Sequence, residues 1–356
     1  MPEHPIQRIA IIKPSSFGDV IHALPVLAGL RRRYPDAHIA WLVSTACADL
    51  LVGHPDLDEV IPFDRKRFGR IGRSPSVTWD FLRFVRDLRA RRFDLVVDLQ
   101  GLFRSGFLAW ASGARRRVGF ARARECASIF YTDRIRVPDH DMHAVDRYYL
   151  FAERLGFADV PITFELPVRG QSRAQVEAML AEQGVDADAR CVLVVPGTRW
   201  ETKRWPAEYF AELVRLLKAE SDLAVVLAGA PDEAGLAREV AVAAGGDVAN
   251  LVGRTTIPQM VALVDRASAV VMNDTGPMHL AVALHKPLVT LYGPTSPHRT
   301  GPYRRLDDVM RLELECSPCY LKRLADCPYG HRCLRDLPPR QVADRLLALV
   351  KTEAMR

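Results

Sequence analysis

The sequence predicts an α/β protein with two open parallel sheets, on three observations. Short apolar runs alternate with helical patterns in both halves of the chain. These runs end in turns built from Gly, Pro, Ser, Thr and Asp, such as PSSFGD, PGT and NDTGP. The length of 356 residues exceeds what one core usually organises. A hydrophobic fraction of 49% and a charged fraction of 26% are those of an ordinary globular chain. No stretch approaches the roughly 18 apolar residues of a spanning helix. The start, MPEHPIQRIAIIK, lacks the basic region and long apolar core of a signal peptide, so a cytoplasmic protein is expected. Seven cysteines in such a chain do not suggest a disulfide framework.

In order, Ile9–Lys13 reads as a strand, PSSFGD as a turn, and Val20–Arg33 as a helix with Ile21, Leu24, Leu27 and Leu30 on one face. Strand Ala37–Val43, helix Ala46–Val52 and strand Glu59–Pro62 follow. RKRFGRIGRSPS has no apolar period and reads as a loop. Trp79–Arg91 then reads as an amphipathic helix, Phe81, Phe84, Val85 and Leu88 inward, Arg83, Arg86 and Arg89 outward. Strand Phe93–Leu99, helix Leu102–Ala111, strand Arg116–Phe120, an Arg-bearing loop Ala121–Thr132 and helix His143–Leu155 complete the first half. A linker is placed in Phe157–Arg173, which holds Pro161, Pro167 and Gly170.

The second series has strands Cys191–Val195, Leu223–Ala228, Val248–Asn250, Ala269–Met272 and Pro287–Leu291. Its helices are Ala207–Glu220, Ala234–Ala244, Met260–Arg266 and Met278–Leu284. The pattern breaks after Tyr303 and resumes with helix Pro339–Lys351.

Charge is uneven. Residues 1–170 hold 26 Lys+Arg and 20 Asp+Glu, a net of +6; the remainder holds 23 of each. Arg65–Arg92 alone has ten basic residues against two acidic ones. A basic half suggests an anionic partner, although an Arg-rich composition with solvated faces is the plain alternative. A nucleic-acid-binding protein fits the charge, but no nucleic-acid motif accompanies it.

The chemistry-bearing stretch is Asn273-Asp274-Thr275-Gly276-Pro277-Met278-His279. Asp274 and Thr275 are suited to cap a helix, so its free N–H groups would form an anion site at the sheet's carboxyl edge. A capped turn with no ligand is equally compatible with that stretch alone. His279 could donate to a bound group or simply be a satisfied helix-face histidine. Lys203 follows the loop begun by Thr198, where an ammonium can reach a phosphate. Glu233, with Asp232 as near-equal rival, stands where acidic residues read ribose in open α/β sheets; both could equally be ordinary first-turn acids. The Thr256-Ile257 turn would border the base. Asp19 can cap a helix or serve as a base. No paired acids stand where a metal–diphosphate clamp would need them, so no metal or cofactor is expected. Cys316, Cys319, Cys327 and Cys333, spaced C-x2-C-x7-C-x5-C, fit either metal ligands or packing thiols.

Taken together, IIKPSSFGDVIHALPVL, DLQGLFRSGFLA, HAVDR, PGTRWETKRWP and NDTGPMHLA…GPT resemble the ADP-heptose:lipopolysaccharide heptosyltransferases, glycosyltransferase family 9. The pieces span nearly the whole chain in the family's order. SSFGDVIHALPVL is closer to heptosyltransferase I, which adds the first heptose to Kdo of lipid A; CSPCY…C…C is closer to heptosyltransferase II. The resemblance implies a GT-B fold, two Rossmann-like domains with parallel sheets facing an interdomain cleft. It places an acceptor-binding domain at 1–165, an ADP-sugar-binding domain at 166–335, and a C-terminal helix at 336–356 packing back on the first domain. It implies inverting transfer of heptose from ADP-heptose to the Kdo/heptose inner core, with Asp19 as general base. Lys203, Thr198, Glu233, Ile257, Asp274, Thr275, Gly276 and His279 would hold the donor. Lys13, Ser15, Ser16, Arg65, Lys66, Arg67, Arg104, Arg122, Arg124 and Arg147 would meet the anionic acceptor. The enzyme would act as a monomer at the anionic cytoplasmic face of the inner membrane, without nucleic acid. A family member with another nucleotide sugar or acceptor is the alternative.

Overall fold

A computed structural model describes residues 5–139 and 141–354. The chain divides into two compact units, Met1–Pro167 and Val168–Arg356.

The first unit carries β1 (Arg8–Ile12), β2 (His38–Ser44), β3 (Glu59–Phe63), β4 (Leu95–Asp98), β5 (Arg116–Phe120) and β6 (Asp133–Ile135). All pair in parallel, in the order β3-β2-β1-β4-β5-β6. Ile12 at the end of β1 lies beside Leu42 and Asp98. The second unit carries β7 (Cys191–Val195), β8 (Ala224–Leu227), β9 (Ala249–Asn250), β10 (Ala269–Asn273), β11 (Leu288–Leu291) and β12 (Val309–Met310). Its order is β12-β11-β10-β7-β8-β9, again all parallel. Read from opposite ends, the two sheets share one topology. In each, the chain winds outward one way from the first strand and the other way from the fourth. That reversal opens a crevice at the carboxyl ends of β1 and β4, and another at those of β7 and β10.

The strands form because their residues are apolar on both faces, as a sheet covered by helices requires. Ile9, Ile11, Val96 and Val97 are sealed from solvent, as are Val192, Val194, Val270 and Val271. Each such side chain contributes about 1.5–3 kcal/mol.

Several elements differ from expectation. The helix expected over 20–33 begins at Phe17 and is split at Ala23 into Phe17–His22 and Leu24–Arg33. Pro25 has no N–H to continue the ladder and opens the second piece instead. Ala46–Val52 yields only a single tight turn, Ala48–Leu50. The basic loop contains helix Arg65–Phe68, capped by Asp64 on the Arg67 amide. The amphipathic helix starts at Pro75, before Trp79, and runs to Ala90. Helix Gly170–Glu182, in and beyond the expected linker, has no clear apolar period; it rests on helix Ile257–Arg266 partly through polar contacts such as Arg266 with Glu177.

The C-terminal helix Pro339–Ala354 belongs to the second unit. Its apolar stripe, Val342, Ala343, Leu346 and Val350, joins the second unit's core with Phe210, Val214, Val271 and Leu291. The helix packs on Ala207–Glu220, β10 and β11. Its stripe is therefore occupied within its own unit.

Candidate active site

In the first unit the predicted residues gather at the carboxyl edge of the sheet. Lys13 follows β1 directly and is only 3% exposed. Its ammonium lies 3.3 Å from Gln100 Oε1 and 3.9 Å from Asp19 Oδ1, over the ring of Tyr148. Asp98, at the end of β4, has no exposure; it accepts from the Gln100 and Gly101 amides and from the Tyr131 hydroxyl, and so shapes the loop that presents Gln100. Burial pushes the Asp98 carboxyl upward.

Asp19 occupies the third position of helix Phe17–His22. Its Oδ2 accepts from the Ser16 amide at 3.0 Å and the Ser16 hydroxyl at 2.7 Å. Its Oδ1 accepts from the Tyr148 hydroxyl at 2.9 Å. The helix-capping role and the outward-facing carboxylate therefore coexist, and a third of the side chain is exposed. Burial opposes ionisation, but Lys13, Ser16 and Tyr148 outweigh it and hold the carboxyl below its ordinary value. Lys13 is itself lowered, chiefly by burial and against the pull of Asp19.

Tyr148 was not among the residues singled out. It is fully buried in helix Ala144–Tyr149, and burial followed by the Asp19 charge raises its hydroxyl well above the ordinary value. Removing its hydroxyl takes away one hydrogen bond that favours ionised Asp19. If Asp19 works deprotonated, activity falls as pH drops through its pKa. Tyr148→Phe should therefore move the acid limb of the rate profile to higher pH while the ring keeps its packing. A pH–rate profile matching that of the unmodified protein would remove Tyr148 from this role.

The basic candidates sort into two groups. Arg65 donates to Ser15 Oγ at 3.1 Å, and Arg147 lies over the rings of Phe120 and Tyr148. Arg67 pairs with Asp80, and the Ser16 hydroxyl donates to Asp19. Lys66, Arg104, Arg122 and Arg124 are exposed. The loop holding Arg122 and Arg124 docks on Gly101, through the Arg124 amide at 3.0 Å from its carbonyl.

The second unit repeats the arrangement at its own switch point. Lys203 Nζ meets Asp274 Oδ2 at 2.5 Å, and the Thr295 hydroxyl donates to the same oxygen at 2.6 Å. Both ion-pair side chains are largely buried, at 15% and 8% exposure. The Thr198 hydroxyl donates to the Asp274 carbonyl at 3.2 Å. Asn273 bridges the two switch-point strands, donating to the Pro196 carbonyl and accepting from the Trp205 amide. Asp274 was expected to cap the following helix. It does not: Gly276 takes the cap position of Pro277–Ala283, and the Asp274 carboxylate turns to Lys203 and Thr295. Thr275 and Gly276 are half-buried in that turn, and His279 is buried one turn on.

Glu233 folds back over the ends of β7 and β8. Its carboxylate accepts from the Ala230 amide at 2.8 Å and is pushed upward in pKa by burial. Gly197 and Gly229 leave it the room: a Cβ on Gly197 would lie 2.0 Å from the Glu233 carboxyl carbon. Gly197→Ala should thus displace the carboxylate while the fold survives, because only a flexible side-chain end must move. Donor-nucleotide affinity is expected to fall about tenfold or more, as for loss of a charge-assisted hydrogen bond. Calorimetry returning unchanged affinity would exclude Glu233 from the nucleotide site. Arg204, unmarked in the sequence reading, donates to the Thr198 carbonyl at 3.0 Å and adds positive charge near Glu233. Thr256 and Gln259 form a reciprocal cap that fixes the half-buried Ile257 at a helix start.

The cysteine segment is docked on this site. The Thr202 hydroxyl donates to the Leu321 carbonyl, His331 Nε2 lies 2.7 Å from the Thr202 carbonyl, and the Ser317 hydroxyl donates to the Gly293 carbonyl. All four thiols are free. Burial, then the nearby Cys319, Cys327 and Cys316, push Cys333 up to about 11. Among the described residues no three His, Cys, Asp or Glu side chains are arranged to hold a metal.

The glycosyltransferase family 9 (heptosyltransferase) model matches residues 81–327. The chain is 33% identical to lipopolysaccharide heptosyltransferase 1 of Pseudomonas aeruginosa, over 96% of this chain and 98% of that protein. Its structure is similar to that of the E. coli ADP-heptose LPS heptosyltransferase II, with TM-score 0.78 and 28% identity, covering 98% and 100% of the two chains. It is likewise similar to E. coli heptosyltransferase WaaC with ADP, at TM-score 0.74 and 28% identity over 98% and 100%. With two parallel sheets of one topology and these relatives along its length, the chain is a transferase belonging to glycosyltransferase family 9, the heptosyltransferases.

Proposed function

We propose that this enzyme transfers heptose from ADP-heptose, with inversion, to the Kdo/heptose inner core of lipopolysaccharide, at the cytoplasmic face of the inner membrane. The observation carrying this reading is the Lys203–Asp274–Thr295 cluster at a switch point, in a chain similar to a heptosyltransferase solved with ADP. A buried ammonium beside helix-start amides suits a diphosphate leaving group. In the reaction the acceptor oxygen attacks the anomeric carbon as its proton passes to Asp19. The bond from that carbon to the phosphate oxygen breaks, and its electron pair leaves with ADP. Lys203 and the amides of Thr275 and Gly276 receive the developing charge; Glu233 and the Ile257 turn take the nucleoside. Lys13, Ser15, Arg65, Arg104, Arg122, Arg124 and Arg147 face the acceptor's phosphates and carboxylates, for which Arg gives bidentate bonds.

The acceptor is Kdo in the reading favoured by the heptosyltransferase 1 relative, and a first heptose in that favoured by the heptosyltransferase II structure. Incubating the protein with ADP-heptose and either Kdo-lipid A or its monoheptosylated form, in excess EDTA, tests both points. One acceptor should gain heptose by mass spectrometry. No transfer to either, or transfer only after Mg²⁺ is restored, would overturn the reading or its metal-free leaving-group site.

A further inference from the structure

Twelve large apolar side chains are conspicuously exposed among the described residues, and six of them, Ile71, Trp79, Leu82, Phe103, Trp110 and Ile129, fall within one stretch of the first unit. Single exposed apolar residues need no explanation, but a grouped set does. Helix Pro75–Ala90 packs on helix Phe103–Ala111, which packs on the turns of Arg124–Phe130. Aromatic rings join them: Phe81 to Phe107 at 6.2 Å, Phe107 to Trp110 at 5.8 Å, Trp110 to Phe130 at 6.5 Å and Phe130 to Phe103 at 5.3 Å. On helix Pro75–Ala90, Trp79, Leu82, Arg83 and Arg86 are all exposed and stand at i, i+3, i+4 and i+7, one outward stripe. Trp79 is 64% exposed and Trp110 53%.

We infer that this aromatic face inserts into the interface of an anionic bilayer, which rests on the reading above that the acceptor is lipid-anchored. The surroundings select a bilayer over a protein partner. Arg70, Arg73, Arg83, Arg86 and Arg104 are exposed around it. The two acids of the 65–92 stretch are already engaged, Asp80 by Arg67 and Asp87 by Arg86. Apolar side chains ringed by exposed cations match acyl chains beneath anionic headgroups. Tryptophan with an apolar body and a polar N–H suits that depth. Phe103 and Arg104 lie where helix Phe103–Ala111 leaves the carboxyl edge of β4, so the face is continuous with the acceptor edge. No described helix is long and apolar enough to cross a membrane, so attachment through this face would use short insertions plus charge.

The test is flotation of the full chain with phosphatidylethanolamine vesicles containing about one quarter phosphatidylglycerol, against pure phosphatidylcholine. The protein should float with the anionic vesicles and retain part of that binding in about 0.5 M salt, where a purely electrostatic contact is screened. Trp79→Ser with Phe103→Ser and Trp110→Ser should lower partitioning about tenfold or more. Turnover on an acceptor stripped of its acyl chains should be unchanged in that variant, which also reports that it has folded. Partitioning within twofold of the unmodified protein, or no flotation of the unmodified protein, overturns the proposal. So does a dimer in light scattering that the triple variant dissolves, since the face would then bind a second copy. Absent transfer with intact vesicle binding would count against the proposed function and not against this surface.

Discussion

Asp19→Asn lowers turnover by about 10²–10⁴ while ADP affinity stays within a few-fold, the range expected when a positioned base is lost. The asymmetry follows from where Asp19 sits. It belongs to the first unit, whereas the cluster of Lys203, Asp274 and Thr295 proposed to meet the leaving group belongs wholly to the second. Asparagine preserves size and can still accept from Ser16, so the helix start is disturbed little. It cannot take a proton at neutral pH. Steady-state rates with saturating donor, beside ADP calorimetry, read the two quantities separately. Near-normal turnover in Asp19→Asn would exclude this carboxylate from proton transfer. A folding cost also has a sign here. The folded pKa lies below the unfolded one, so the contribution of Asp19 to stability is present above the unfolded pKa and fades as pH falls through the folded value.

Lys203→Ala is expected to lower turnover by about 10²–10³ and weaken ADP binding as well, since the ammonium would meet the diphosphate in ground and transition states. This variant has a second effect. Asp274 is 8% exposed on its side chain, and without Lys203 the partners described for its carboxylate are neutral hydroxyls, those of Thr295 and Tyr292. Breaking a buried pair from one side costs about 3–5 kcal/mol. The melting temperature should therefore fall, and Lys203→Ala with Asp274→Asn should recover part of that loss without restoring activity. Wild-type activity in Lys203→Ala would show that the diphosphate is held elsewhere.

How much of this was readable beforehand depends on the range of each interaction. The two sheets were legible because β7, β10 and β1 are short apolar runs whose partners matter little to the pattern. Lys203 and Asp274 stood out because each follows a strand, where open α/β sheets place ligands. Their 2.5 Å pairing was not legible, because it depends on how the loop after β7 folds toward β10. Tyr148 read as a core aromatic, and it is one; only the tertiary fold brings its hydroxyl to Asp19 across 129 positions of sequence. Thr295 was hidden for the same reason. Helix Gly170–Glu182 escaped because only Ser172, Val176 and Leu180 are buried, too few to set a period. The stripe on Pro339–Ala354 was legible, but a stripe does not name the surface it covers.

The docking of the last segments on the Lys203 loop sets an order of events during synthesis. The first unit has its six strands and their cover once Pro167 has emerged from the ribosome, and such units fold as they appear. The second cannot finish so early. Thr202 waits for Leu321 and His331, Trp205 Nε1 for the Leu337 carbonyl, and the core around Val271 and Leu291 for helix Pro339–Ala354. A nascent chain halted at about residue 315 would hold every strand of the second sheet with the Lys203 loop still unlatched. Messages truncated there should yield a chaperone client, not a weaker enzyme.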